Sequence, residues 1–255
     1  VVEKVPLEAH WDFSPQDPNV LILDRWTYVA RDRQAGVRHH VGIPGQVNSY
    51  RTTFEVAEKP RQLRLVLDDV QQSIPSHVGF LSRRRNVEIY VNGEQAGPLV
   101  PSTWQDRYFL ETDLTNLVET GINTLEIHVL SLLEPFEHLN EPAYLIGDFA
   151  VLEDRLCAPQ RQVHGPFNEQ GYPHFAGIAA HTQRVEIPAE YCTGHRVILD
   201  PGEVHDCCRI VVNGEEVAVR LWPPFQVDIT SAVKPGRNEI TVEVANSLVN
   251  LYEKE

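Results

Sequence analysis

The sequence predicts an all-β chain built as two tandem antiparallel β-sandwiches, and three observations predict it. Many short runs alternate apolar with polar residues, with turn residues every ~8–12 positions, the rhythm of a sandwich. No apolar stripe of helical period runs longer than about two turns. One long phrase occurs twice, from Val87 to Ser131 and again from Arg209 to Ser247.

In the second copy Ile210 to Val212 is a β-branched run. Asn213-Gly214 follows, the pair preferred by a two-residue type I′ turn, because both central residues need φ > 0. Val217 and Val219, then Phe225, Val227 and Ile229, alternate as half-buried strands do. Pro235-Gly236 marks a further turn, and Ile240, Val242 and Val244 alternate again. In the first copy Asn92-Gly93 matches Asn213-Gly214, and Asp113-Leu114-Thr115 matches Asp228-Ile229-Thr230. Asn123 to Ile127 matches Asn238 to Val242. Upstream, Tyr50 to Val70 resembles His181 to Val204 more loosely. Solenoid repeats recur every ~20–50 residues, so a period of about one domain is a domain duplication.

A chain of 255 residues fits one or two domains at ~150 residues each, and the duplication selects two. Hydrophobic content of 42 % suffices for two cores. A net charge of −14 argues against nucleic acid and anionic membrane as partners, since both need a basic footprint. No apolar run reaches the ~18 residues of a spanning helix, and no signal peptide is visible. Methionine is absent, even at position 1, and Leu251 to Glu255 stops without a closing structure. The sequence therefore reads as a processed product or an excised piece of something longer, with the open end favouring the excised piece, and it does not give the compartment.

In order, Val1 to Phe13 reads as irregular, with Trp11 and Phe13 as packing anchors. Asn19 to Ala30 reads as a strand, and Arg31 to Pro44 is polar with a His39-His40 pair. Ser49 to Val56 and Arg61 to Asp68 are strands across Glu58-Lys59-Pro60, and Gln71 to Asn86 is a loop holding Arg83 to Arg85. Thr115 to Glu119 and Thr230 to Val233 each fit one helical turn. Leu133 to Tyr144 is a loop rich in acid and proline, and Leu145 to Leu152 closes the first sheet. Cys157 to Phe175, punctuated by Pro159, Gly165, Pro166, Gly171 and Pro173, reads as a linker. Ala179 to Ile187 and His195 to Leu199 are the next strands. The expected domains are 1–154 and 155–255.

The string V-N-G-E-E-V…L-W-P-P-F-Q-V-D-I-T…V-K-P-G-R-N-E-I-T-V-E-V-A-N-S resembles the sugar-binding β-sandwiches of large bacterial glycoside hydrolases. The likeness is to the family 2 sugar-binding domain and to the C-terminal region of family 106, α-L-rhamnosidase-like, enzymes. N-V-L-I-L-D near Asn19, L-I-G-D-F-A-V near Leu145 and G-Y-P-H-F-A-G near Gly171 fit the same proteins. The resemblance implies a galactose-binding-like jelly roll, with carbohydrate and a catalytic domain of the same longer chain as partners. In such enzymes the catalytic carboxylates sit in a (β/α)8 barrel, and no part of this sequence looks like one. No catalytic residue carries over, and the fold hosts many binding roles.

Four clusters carry possible chemistry. Asn140-Glu141-Pro142 spells the triplet of an acid/base glutamate in retaining barrel glycosidases. That chemistry needs a second carboxylate ~5–5.5 Å away and a barrel strand to present it; the bland alternative is a turn. Cys192-x-x-His195 and His205-x-Cys207-Cys208 hold zinc-ligand residue types, but lack the two paired spacings of a structural zinc site, and free cysteine commonly packs as a small hydrophobe. A disulfide from Cys192 to Cys207 or Cys208 is an alternative, and the pairing of Cys157, Cys192, Cys207 and Cys208 stays open.

Aromatic residues in loops form the third cluster. Sugar rings present apolar C–H faces, so a glycan site offers an aromatic plate beside carboxylates, amides or Arg. Trp104, Asp106 and Arg107 supply that mixture, Trp222 takes a related place in the second copy, and Tyr172 and His174 lie in another loop. The bland alternative is that these rings cover the ends of their own sandwiches or pack on a catalytic domain. Arg83 to Arg85 form the fourth cluster, most simply a solvated loop, with a partner-facing or sugar-acid role as the alternative. Nucleophile-elbow, P-loop and zinc-protease motifs are absent. A structural calcium held by loop oxygens suits a jelly roll, though no EF-hand pattern marks one. The sequence thus predicts a non-catalytic, carbohydrate-binding accessory region without cofactor. A structural brace and a glycosidase using Glu141 stand as alternatives.

Overall fold

A computed structural model describes residues 4–28, 33–36, 47–68, 87–130 and 142–252. Strand makes up 52 % and helix 6 %, so the chain is all-β with antiparallel sheets. Glu141, Arg83 to Arg85 and the His39-His40 pair lie outside the described residues. Among the described residues no helix is long and apolar enough to cross a membrane.

The chain divides into two compact units, a central one of residues 20–159 and a composite one of residues 1–19 with 160–255. The composite unit departs from the linear reading of 1–154 and 155–255. The segment expected to be irregular contains the strand His10–Pro15, whose Phe13 pairs with His181 and whose Trp11 pairs with Val163. The expected linker also resolves into structure. Arg155–Cys157 pairs with Val47–Val56 in the central unit, and Gln162–His164 is a strand of the composite unit.

In the central unit a sheet carrying Val47–Val56, Gly121–Leu130 and Val87–Val91 faces a five-stranded sheet ordered Asn19–Leu23, Ala143–Gly147, Leu63–Asp68, Phe109–Asp113, Val100–Pro101. Tyr50, Phe54 and Val56 alternate inward from the first sheet and Leu63, Leu65 and Leu67 from the second, which is how two pleated faces share a core. Two stretches read as single elements switch sheets. Asn19–Leu23 and Arg25–Tyr28 belong to different sheets, with Trp26 Nε1 donating to the Leu23 carbonyl across the corner (3.0 Å). Ala143–Gly147 and Ala150–Leu152 do likewise. There Asp148 Oδ1 accepts the Gln62 N–H (2.7 Å), and Gly147 passes so close to the Gln62 carbonyl that a Cβ would lie 2.1 Å from its oxygen.

The duplicated phrase builds the same local structure twice. Asn92 (φ 53°) with Gly93 (φ 84°), and Asn213 (φ 52°) with Gly214 (φ 85°), adopt the left-handed conformations that a type I′ hairpin needs. Asn123 is buried and ties the neighbouring turn. Its Oδ1 accepts from Glu119 N and Asn92 Nδ2 (both 2.8 Å), and its Nδ2 donates to the carbonyls of Glu119 (2.7 Å) and Gly121 (3.0 Å). Asn238 repeats the set with Lys234 N (2.9 Å), Asn213 Nδ2 (2.8 Å), Lys234 O (2.7 Å) and Gly236 O (2.8 Å).

Asp113 and Asp228 cap equivalent turns, accepting the N–H of Thr115 (2.8 Å) and Thr230 (3.1 Å). The hydroxyl and N–H of Thr230, and then Arg196, bring the Asp228 carboxyl down to about 2. The Thr115 contacts lower Asp113 in the same direction. Each folded value lies below the ~3.9 of a free aspartate, so the stabilisation is present above that value and is lost as pH falls through the folded value. Urea midpoints of the composite unit are therefore expected to decline as pH drops from about 4 towards 2. Asp228→Asn should flatten that decline, and an unchanged slope in this variant would show the cap contributes nothing.

Candidate functional site

The composite unit pairs a broad sheet with a narrow one. Its six-stranded sheet runs Gln162–His164, His10–Pro15, Ile178–Ile187, Gly236–Ala245, Cys207–Val212, Glu215–Arg220, whereas Ile198–Leu199 and Val227–Asp228 form only a two-stranded sheet. The pairings Trp11 to Val163, Phe13 to His181, His181 to Val242 and Val242 to Ile210 place these side chains on one face. Leu199, Val227 and Phe225 cover that face at Ile210, Val212 and Ile240. Tyr172 and Phe175 cover it at Phe13, Val163 and Ala179. Between these clusters a cleft of 790 Å³ opens, floored by Trp11, Val163, His181, Val242 and Val244 and walled by residues of 165–169, 201–206 and 246–250.

The walls are fastened by side chains. Gln170 holds the turn Phe167–Gln170 by accepting His164 N–H (2.9 Å) and donating to the carbonyls of His164 (2.8 Å) and Pro166 (2.9 Å). Asn246 accepts Gly177 N–H (2.8 Å) and donates to the Phe175 carbonyl (2.6 Å), and Asp206 accepts Ser247 N–H (2.9 Å). The rim carries Glu169, Glu203, Asp206, Asn246 and Asn250, with His205 Nε2 3.7 Å from Glu203 Oε1. On the floor His181 sits edge-on to Phe13 at 5.2 Å and near Phe167 at 6.0 Å. Its Nδ1 is buried without a hydrogen bond to any described residue, and burial, outweighing backbone contacts at Val242 and Ala179, pushes its pKa down, so the ring is neutral near pH 7. An apolar, ring-lined floor under a rim of carboxylates and amides suits a ligand with one apolar face and many hydroxyls.

None of the six residues singled out in the sequence lines this cleft. Trp104 is 6 % exposed, packed on Phe109 (5.7 Å) and Tyr144 (5.4 Å), and Tyr172 is 0 % exposed in the Phe13–Phe175 cluster. Neither offers a ring face to a ligand, because each fills space between strands. Burial also pushes the Tyr172 hydroxyl up to about 12. His174 Nδ1 contacts the Asn250 carbonyl (3.1 Å) and steadies a wall from behind. Asp106 and Arg107 are exposed in the central unit, Asp106 accepting Tyr108 N–H (2.8 Å) and the Arg107 guanidinium lying 4.6 Å from the Tyr108 ring centre. Trp222 is 70 % exposed beside exposed Leu221 and Val219.

All four cysteines are free thiols. Cys208 points inward while Cys207 Sγ contacts the Ala245 carbonyl (3.7 Å), so the vicinal pair splits across the sheet. Among the described residues no three His, Cys, Asp or Glu side chains gather as metal ligands. The sequence reading missed Phe167, Glu203, Asp206 and His181, and took Trp11 as packing only. A signal for His181 existed: it breaks the inward series Ala179, Gln183, Val185, Ile187 at the register position that Tyr50 fills in the first copy.

No known protein-family signature matches the chain. A stretch of 78 residues, 30 % of the chain, is 28 % identical to a Formosa agariphila protein named "Putative beta-glucuronidase", and spans 7 % of that protein. Among solved structures, similarity extends to a Streptomyces avermitilis alpha-L-rhamnosidase complexed with L-rhamnose, with TM-score 0.38, 12 % identity, 92 % of this chain and 25 % of the other. A Bacteroides cellulosilyticus glycosyl hydrolase family 2 member gives TM-score 0.37, 17 % identity, 89 % of this chain and 31 % of the other. A Ruminococcus gnavus b-glucuronidase in complex with C6-substituted uronic isofagomine gives TM-score 0.38, 11 % identity, 95 % and 42 %. The chain thus covers well under two thirds of each of these proteins.

Proposed function

We propose that this chain is a non-catalytic accessory region of a larger glycoside hydrolase, built from galactose-binding-like sandwiches, and that it holds carbohydrate in the cleft of the composite unit. The observation that carries this reading is the cleft itself, where Trp11, Phe167 and His181 meet a rim of carboxylates and side-chain amides. The stretch of 28 % identity to the Formosa protein supports the enzyme context. A pyranose stacks its C–H face on such a floor while its hydroxyls bond to the rim.

Titration with rhamnose-, galactose- and xylose-containing glycans by calorimetry is expected to give binding that Phe167→Ala weakens at least tenfold, a loss of about 1.4 kcal/mol. Circular dichroism should show the variant folded, because Phe167 is only half-buried. Binding unaffected by this change would move the ligand elsewhere, to Trp222 or to Asp106 and Arg107. Silence across all glycans would favour the second reading, a brace for a catalytic domain, for which the exposed run Val219, Leu221, Trp222 is the supporting observation. Aryl-glycoside turnover lost in Glu141→Gln would instead support a glycosidase.

A further inference from the structure

The cleft has a sign as well as a shape. Glu169, Glu203 and Asp206 line it, and among the described lining residues there is no Lys and no Arg. Glu169 makes no hydrogen bond or ion pair with any described residue. Glu203 has only the distant His205 ring (3.7 Å), and Asp206 keeps one oxygen for Ser247 N–H. The floor adds no compensating charge, since His181 is held neutral by burial. The whole chain carries −14, so the field outside has the same sign as the field within. A cleft lined by charges of one sign over an apolar floor focuses such a field and concentrates ligands of opposite charge.

We infer that the occupant of this cleft is a glycan bearing free amino groups, a hexosamine oligomer, and that the cleft excludes uronate-containing glycans. The inference rests on the carbohydrate reading above and names its ligand class. A protonated sugar amine would meet the carboxylates of Glu169 and Glu203 as a charge-assisted contact. A uronate would bring a fourth carboxylate beside Glu169, Glu203 and Asp206, where like charges repel and no Lys or Arg among the described lining residues offsets them.

The experiment compares three oligosaccharide series of equal length by calorimetry at neutral pH and low ionic strength: glucosamine, N-acetylglucosamine and glucuronate oligomers. Glucosamine oligomers are expected to bind at least tenfold tighter than their N-acetyl counterparts, and glucuronate oligomers not measurably. Because Coulomb contacts are screened by salt, the advantage of the free amine should shrink towards unity in high salt. Glu169→Gln combined with Glu203→Gln should remove most of that advantage. Both side chains are exposed, so the fold should survive. Glu94→Gln, at an exposed hairpin of the central unit, should leave the advantage intact, which separates a cleft effect from general attraction to an acidic protein. Equal binding of free-amine and acetylated oligomers, or binding of the uronate series, would overturn the amino-sugar assignment and leave the carbohydrate reading standing. Absence of binding in all three series, and in the neutral glycans, would overturn both.

Discussion

Asn123→Ala is expected to cost the central unit about 3–4 kcal/mol in urea unfolding, and Asn238→Ala to cost the composite unit a similar amount. Each asparagine is almost fully buried and uses both its oxygen and its amide, with two bonds accepted and two donated. Removing the amide does not simply delete four contacts. It leaves the N–H and carbonyl of Glu119, the carbonyl of Gly121 and the Asn92 amide searching for partners. A buried polar group left unsatisfied costs about 1–3 kcal/mol. Water reaches exposed Glu119 and Asn92, which places the sum near the low end rather than at the full total. Ile122→Ala next door is the control. Its side chain is 76 % exposed, so the change should fall within about 0.5 kcal/mol. A cost below about 1 kcal/mol for Asn123→Ala would mean that water replaces the side chain in the turn.

These asparagines also show what the sequence made legible. Asn-Gly is a local pattern, read within two residues and repeated in the second copy, so both hairpins could be placed before any fold was known. Asp113 and Asp228, and Asn123 and Asn238, were legible only as matching positions of the repeat, and their roles as cap and tie came from the structure. Long-range consequences were hidden. His10–Pro15 alternates Trp11 and Phe13 with polar residues, but its partner His181 lies far along the chain and no neighbouring strand announces it. The corners at Asp24 and Asp148 depend on which sheet each half joins. The cleft was hidden for the same reason: it exists because the second sheet of the composite unit is two short strands rather than five, and a missing cover leaves no mark in local periodicity. Aromatic residues in polar loops gave the opposite error. Trp104 and Tyr172 look like plates in sequence because Tyr144 and Phe13, which bury them, are distant in the chain.

Trp104→Ala should therefore act on folding, with an expected loss of about 3–5 kcal/mol, whereas Trp222→Ala should stay within about 0.5 kcal/mol. Trp104 stacks on Phe109 and leans on Tyr144, and truncation opens a cavity between strands that backbone hydrogen bonds keep from collapsing. One feature of the site works against the tryptophan: its buried Nε1 has no hydrogen-bond partner among the described residues. Trp104→Phe removes that orphaned donor while keeping most of the ring, so it should cost clearly less than alanine, about 1–2 kcal/mol. The order Ala, then Phe, then wild type in urea midpoint tests the packing account directly. If Trp104→Ala left stability unchanged but removed glycan binding, the ring would be a ligand platform after all, and the burial by Phe109 and Tyr144 would have to open in solution. If Phe proved as damaging as Ala, the indole N–H would have a partner in solution, and the loop Ser102 to Phe109 would be held by a polar contact rather than by packing.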